Sequence, residues 1–147
     1  MSDEQTLPLH ILFIEDSEDD LRLMVREIKK SGMSIIWSRV DSPDSFEKEL
    51  QINTWDVILS DYNMPHFDVP SALRILKKLK LDIPYIIVSG AVSDETATEM
   101  MRSGAHDYIL KDNLSRMTEV IKREIRESKI RGSHRQGIEK IKHLNQI

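Results

Sequence analysis

Leu9-His10-Ile11-Leu12-Phe13-Ile14-Glu15-Asp16-Ser17-Glu18-Asp19-Asp20 joins a nearly continuous apolar run to an abruptly acidic one. A run of strand length without polar alternation is the pattern of a strand buried on both faces, and the acidic break marks the loop it enters. From Asp19 or Asp20 the apolar residues Leu21, Val25 and Ile28, with Leu23 and Met24 beside them, recur at helical spacing until Ser31-Gly32. Strand then helix repeats along the chain. Ile35 to Val40 reads as the second strand, and Asp44 to Gln51, opened by Ser42-Pro43, as a short helix. Trp55 to Ser60 reads as the third strand, followed by a helix started by Asp68-Val69-Pro70-Ser71 and ended by Asp82 and Pro84. Tyr85 to Ser89 is the fourth strand, and Ser93-Asp94-Glu95-Thr96 caps a helix running to Ser103-Gly104. Asp107 to Leu110 is the fifth strand, with a last helix from Asn113 onward. Five strands alternating with five helices predict an α/β fold: a doubly wound parallel sheet with helices on both faces and right-handed crossovers. In such a fold the active loops lie at the carboxyl ends of the strands.

A chain of 147 residues with 39% hydrophobic content is enough for one core. There is no cysteine, which excludes disulfides and thiolate metal sites and is compatible with a reducing interior, so the cytoplasm is the expected location. The acidic, polar start Met-Ser-Asp-Glu-Gln-Thr lacks the basic and apolar segments of an export signal. No apolar run approaches the roughly 20 residues that span a bilayer. A net charge of −4 gives no general pull toward nucleic acid or anionic lipid, so neither is an expected partner.

The polar residues fall on the expected edge. Glu15 and Asp16 follow the first strand, Asp61 the third and Lys111 the fifth, while Ser89 ends the fourth. If the central strands are neighbours, three carboxylates converge there, and such crowding calls for a cation or a proton. Magnesium suits oxygen ligands and commonly uses one or two carboxylates together with phosphate oxygens, and the Asn63 backbone carbonyl is a further candidate ligand. Asp61 is the candidate nucleophile, since carboxylates form aspartyl-phosphates where metal and positive charge offset repulsion. Lys111 would supply that charge, and Ser89 a hydrogen bond to a phosphoryl oxygen. Taken singly, each residue has an ordinary reading as a solvated loop acid, a surface lysine or a turn serine.

As a set they resemble the receiver domains of bacterial two-component response regulators, in particular the single-domain chemotaxis-regulator type. The matching motifs are Ile14-Glu15-Asp16, Ser60-Asp61-Tyr62-Asn63-Met64-Pro65, Val88-Ser89-Gly90-Ala91, and Gly104-Ala105-His106-Asp107-Tyr108-Ile109-Leu110-Lys111, in order on the expected elements. The resemblance covers about Leu9 to Arg131 and divides the chain into a lead (1–8), a receiver domain (9–131) and a basic tail (132–147) that is helical or disordered. It implies a flavodoxin-like sheet of order 2-1-3-4-5. By the same resemblance Asp61 is the phosphoacceptor and Glu15, Asp16, Asp61 and the Asn63 carbonyl form the magnesium site. Ser89 is the hydroxyl that moves to the phosphoryl group, Lys111 the active-site lysine and Tyr108 the aromatic switch, the ordinary reading of Tyr108 being a half-buried strand aromatic. The implied mechanism is a population shift that alters the face of helix four, strand five and helix five. Moving such an equilibrium from mostly off to mostly on needs about 5 kcal/mol.

Three positions depart from the family pattern. Val69 stands four residues after Pro65, where the family often has Gly. Asp112 follows Lys111 in place of the frequent proline, so a trans peptide bond is expected there. Glu15 stands where many members have Asp, reaching about one methylene farther, and metal coordination partly through water is expected. His66 reads as a solvent-facing loop residue, Trp37 and Trp55 as packing residues, and Met100-Met101 as closing a helix face.

In the tail, Ile138, Ile141, Leu144 and Ile147 form an approximate helical stripe that could seek a partner, while Gly132 and Gly137 ahead of it suit a frayed or disordered basic end. The leading expectation is a phosphorylation switch, not an enzyme acting on external substrates. It would be charged by a histidine kinase or phosphotransfer protein and signal by protein contact, with homodimerisation left open. A receiver from a longer regulator or hybrid kinase is the near alternative. A phosphorylation-independent scaffold would normally have lost Asp61 or Lys111. An aspartate-nucleophile phosphatase would want a second acid where Asn63 stands.

Overall fold

The computed structural model describes residues 7–90 and 93–145, with the backbone alone for Asp94 and residues 132–145. The lead residues 1–6, Ala91 and Ile147 therefore lie outside the described residues, as do the side chains of the tail stripe. The elements are β1 (Leu9–Ile14), α1 (Glu18–Lys30), β2 (Ile35–Val40), α2 (Pro43–Ile52), β3 (Val57–Asp61), α3 (Val69–Lys78), β4 (Tyr85–Ser89), α4 (Asp94–Arg102), β5 (Asp107–Leu110) and α5 (Met117–Asn145), with a 3-10 turn over Lys111–Arg116 before α5. All strand pairs are parallel, in the order β2-β1-β3-β4-β5. The alternating α/β fold is as expected, sheet order included.

The sheet has two apolar faces because its central strands carry apolar residues at both parities. Leu12, Ile14, Ile58, Tyr85 and Ile87 face α2 and α3, where Phe46, Leu50, Val69, Ala72 and Leu76 complete a core that Met100 of α4 joins. The alternate residues Ile11, Phe13, Leu59, Ile86, Val88 and Ile109 face Leu21, Met24, Val25 and Ile28 of α1 and Met117, Val120 and Ile121 of α5. Each fully buried Leu, Ile or Phe contributes roughly 1.5–3 kcal/mol relative to exposure.

Helix starts follow from side-chain caps. Ser17, Ser42, Asp68 and Ser93 accept from the backbone amides of Asp20, Ser45, Ser71 and Thr96, satisfying donors that a first turn leaves orphaned. Two element starts differ most from those expected. β3 begins at Val57, because Trp55 is buried by packing in the preceding loop, its Nε1 donating to the Glu49 carbonyl at 3.1 Å. The last α-helix begins at Met117, not Asn113, because Asn113 adopts φ −133°, ψ 51° inside the 3-10 turn.

Trp37 is 39% exposed on the edge strand, with its ring against the edge of Phe13 at 6.1 Å. Met100 is buried, while Met101 stays exposed, so only the first of that pair closes the helix face. No helix among the described residues is long and apolar enough to cross a membrane.

Candidate functional site

The register of β1, β3 and β4 puts the acidic residues of the sequence motifs together. Ile14 pairs with Ser60, and Asp61 with Val88, so the carboxyl ends of three strands finish side by side. Glu15 continues the β1 ladder by one residue, its N–H donating to the Val40 carbonyl at 3.0 Å. Its side chain turns inward and is fully buried. Asp61 ends β3, 6% exposed, and its Oδ1 accepts from the Asn63 N–H at 3.1 Å. Asp16 is exposed at the rim. Glu15, Asp16 and Asp61 each bring one carboxylate oxygen within 4.8 Å of the others.

This arrangement is electrostatically uncomfortable on its own. Burial first, and the Asp61 charge second, push the Glu15 carboxyl up to about 7, although the Ser17 N–H that it accepts at 3.1 Å pulls the other way. Glu15 Oε1 is buried without a hydrogen-bond partner. An unsatisfied buried carboxylate oxygen among like charges suits a hard divalent cation, and these three carboxylates could hold one.

Lys111, the first residue of the 3-10 turn, reaches into the cluster from the fifth strand. Its Nζ lies 3.6 Å from Asp61 Oδ1 and 3.7 Å from Glu15 Oε1. Its shortest contact is with Asp20 Oδ2, at 2.6 Å. Burial alone would lower the Lys111 ammonium, but the Asp20 hydrogen bond and the charges of Glu15, Asp61 and Asp20 outweigh it and hold the group above the ordinary lysine value. Asp20 is the site residue that sequence reading missed. It sits in an acidic first turn with Glu18 and Asp19, and nothing in that run marks which of the three would face a lysine 91 positions away.

Ser89 ends β4 beside Asp61, fully buried, its Oγ without a hydrogen-bond partner. Tyr108, half-buried on β5, lines an open groove of about 480 Å³ with Ala97, Thr98, Met101 and Arg102. Asn63 and His66 are exposed in the loop after β3. Val69 is buried as the first residue of α3 and packs with the core, a contact that glycine would not make. No peptide bond among the described residues is cis, including the one to Asp112.

Residues 11–122 match the family model of the response regulator receiver domain. Among curated proteins, a probable C4-dicarboxylate response regulator of Bacillus subtilis is 29% identical over 119 residues, covering 77% of this chain and 50% of its own length. The cell cycle transcriptional regulator CtrA of Caulobacter vibrioides is 27% identical over 103 residues, covering 70% of this chain and 44% of the relative. Among solved structures, a Francisella response regulator receiver domain superposes with a TM-score of 0.70 at 24% identity, over 82% of this chain and 98% of that one. A CheY-like receiver domain protein of Methanospirillum hungatei gives 0.70 at 21%, over 85% and 99%. The doubly wound sheet with an acidic carboxyl edge is thus the receiver class of signalling domains. The chain belongs to the response regulator receiver domain family of two-component signalling.

Proposed function

We propose that this chain is a phosphorylation switch in which Asp61 accepts a phosphoryl group from a histidine kinase or phosphotransfer protein. The observation that carries this reading is the placement of Lys111 Nζ within 4 Å of both Asp61 and Glu15, at 3.6 and 3.7 Å, on the carboxyl edge of the sheet. An Asp61 oxygen attacks phosphorus, the bond from phosphorus to the donor nitrogen breaks, and the freed imidazole retains a proton. Glu15, Asp16, Asp61 and the Asn63 carbonyl would hold magnesium, which when bound draws charge from the phosphoryl oxygens. Lys111 offers a compact ammonium to one phosphoryl oxygen, and the partnerless Ser89 hydroxyl is a ready donor to another.

Output by protein contact through α4, β5 and α5 is supported by the half-buried Tyr108 and the groove beside it, into which a ring displaced toward Ser89 would no longer project. The chain spans about half the length of the curated relatives it matches, and those relatives include transcriptional regulators. This favours, as a second reading, a receiver module whose α5 hands the signal to a further domain.

The test is intact-protein mass after incubation with a small phosphoryl donor and magnesium. A single magnesium-dependent adduct, absent in Asp61→Ala and after chelation, is expected. No adduct together with no magnesium binding would overturn the phosphoacceptor reading and leave a phosphorylation-independent scaffold in front.

A further inference from the structure

We propose that Asp20 is a positioning residue for Lys111 and weakens the hold of the Asp61 site on a phosphoryl group; this rests on the phosphoacceptor reading above. The lysine has a bound partner in the resting protein. Lys111 Nζ donates to Asp20 Oδ2 at 2.6 Å, a charge-assisted hydrogen bond, whereas its approaches to Asp61 at 3.6 Å and Glu15 at 3.7 Å are ion-pair contacts beyond hydrogen-bond length. To serve a phosphoryl oxygen, the ammonium must leave Asp20 or divide its donors between the two.

Both partners are fixed. Asp20 stands in the first turn of α1, where the Ser17 Oγ accepts its N–H at 3.2 Å and pins the backbone that aims the carboxylate. Lys111 opens the 3-10 turn, and Leu114 of that turn meets Leu23 and Met24 of α1 around a space of about 30 Å³ that Asp20 and Lys111 also line. That space is about one water in size, so the lysine stem has little room to swing away from α1.

Charge acts in the same direction as the hydrogen bond. Asp20 lies outside the three-carboxylate cluster of Glu15, Asp16 and Asp61, so it adds negative charge beside Lys111 without being placed to share a cation. An arriving phosphoryl dianion meets that charge and a lysine already engaged. Asp20 therefore sets a weak, readily reset phosphorylated state.

The experiment uses the full chain with magnesium and the phosphoryl mimic beryllofluoride, binding being followed by fluorine NMR. Asp20→Asn is expected to bind the mimic about tenfold more tightly than wild type, the scale of one charge-assisted hydrogen bond. Asp20→Glu, which restores the carboxylate, is expected to return toward wild-type affinity, a rescue that a merely structural role would not predict. Magnesium affinity without the mimic and the urea midpoint report on the fold, and Asp20→Ser carries the same expectation should Asp20→Asn fail to fold. Equal or weaker binding in folded Asp20→Asn overturns the role of Asp20. Failure of wild type to bind the mimic overturns instead the phosphoacceptor reading on which it rests.

Discussion

The Tyr85 hydroxyl donates to Ser60 Oγ at 2.8 Å in the interior of the sheet, one residue before Asp61. Burial first, and the charge of Asp68 in the same sense, push the phenol well above its ordinary value, only partly countered by the Ser60 bond, so it remains a neutral donor. The serine in turn reaches the Asp61 carbonyl at 3.3 Å, linking the entry of β4 to the end of β3.

Removing both members of this pair should cost less than the two single losses added together. Ser60→Ala strands a buried hydroxyl and is expected to cost about 1–3 kcal/mol; Tyr85→Phe, which leaves the serine its own acceptor, about 1 kcal/mol. The double variant is expected to lie close to the less damaging single one. Urea unfolding of the four proteins gives the cycle, and strictly additive losses would contradict it.

Magnesium binding should tighten as pH rises through about 7. The metal-free Glu15 carboxyl is pushed up to about 7, by burial before the Asp61 charge, so below that pH a proton occupies the oxygen that a cation needs. A folded value raised above the unfolded one means that the contribution of Glu15 to metal-free stability is fully present below the ordinary glutamate value and is lost as pH rises through about 7. Titration calorimetry is expected to show proton release on binding at pH 6, little release at pH 8, and tighter binding at pH 8. In Glu15→Gln both the release and the pH dependence should disappear, with weaker binding throughout.

His106 should titrate below the ordinary histidine range. Burial first, then the nearby Arg131, disfavours its charged form. Nδ1 accepts the Tyr85 N–H at 2.9 Å, which puts the proton of the neutral ring on Nε2, so Arg131 at 3.3 Å from that nitrogen packs against the ring without bonding to it. A depressed folded value gives stability that is present above the unfolded value near 6.5 and is lost as pH falls through the folded one. Proton NMR of the ring is expected to give a midpoint below 6.5, and because Glu15 acts in the opposite sense over the same range, the stability change from pH 7 to pH 5 is expected to be less favourable in wild type than in His106→Gln.

Gly104 should resist substitution for a reason of backbone and not of space. Its φ is +111°, while a Cβ placed there meets only Leu73 Cδ1 at an ordinary 3.7 Å. Gly104→Ala is expected to cost about 1 kcal/mol or more from the left-handed conformation alone. Gly90→Ala, with nothing within 4 Å and no such φ, should be near neutral in thermal unfolding.

β1 and β4 were legible because they are apolar runs cut sharply by polar residues, and β2 and β5, although Ser38, Arg39 and Asp107 interrupt their apolar character, also have the bounds expected. Trp55 misled the third, since burial in a loop and burial in a strand leave the same mark on a sequence. Glu15, Asp61, Ser89 and Lys111 were legible because a parallel sheet sends the carboxyl ends of its strands to one edge. Asp20 was not, because its partner is chosen by how α1 lies across the sheet relative to the turn after β5, and that packing leaves no local pattern. Likewise the non-helical backbone at Asn113 could not be told from the helical turns that follow.

The middle of α5 is tied to the opposite edge of the sheet. Arg131 grips the Asp82 carboxylate with two nitrogens, at 3.2 and 3.3 Å, and Ser128 reaches the Asp82 carbonyl at 3.5 Å, just before the strand that ends in Ser89. Mechanically this is a rivet on a lever arm. A load applied to the carboxyl end of α5 passes into the anchorage of β4 before it can peel the helix from the sheet, and a twist of that arm is borne by the strand carrying Ser89.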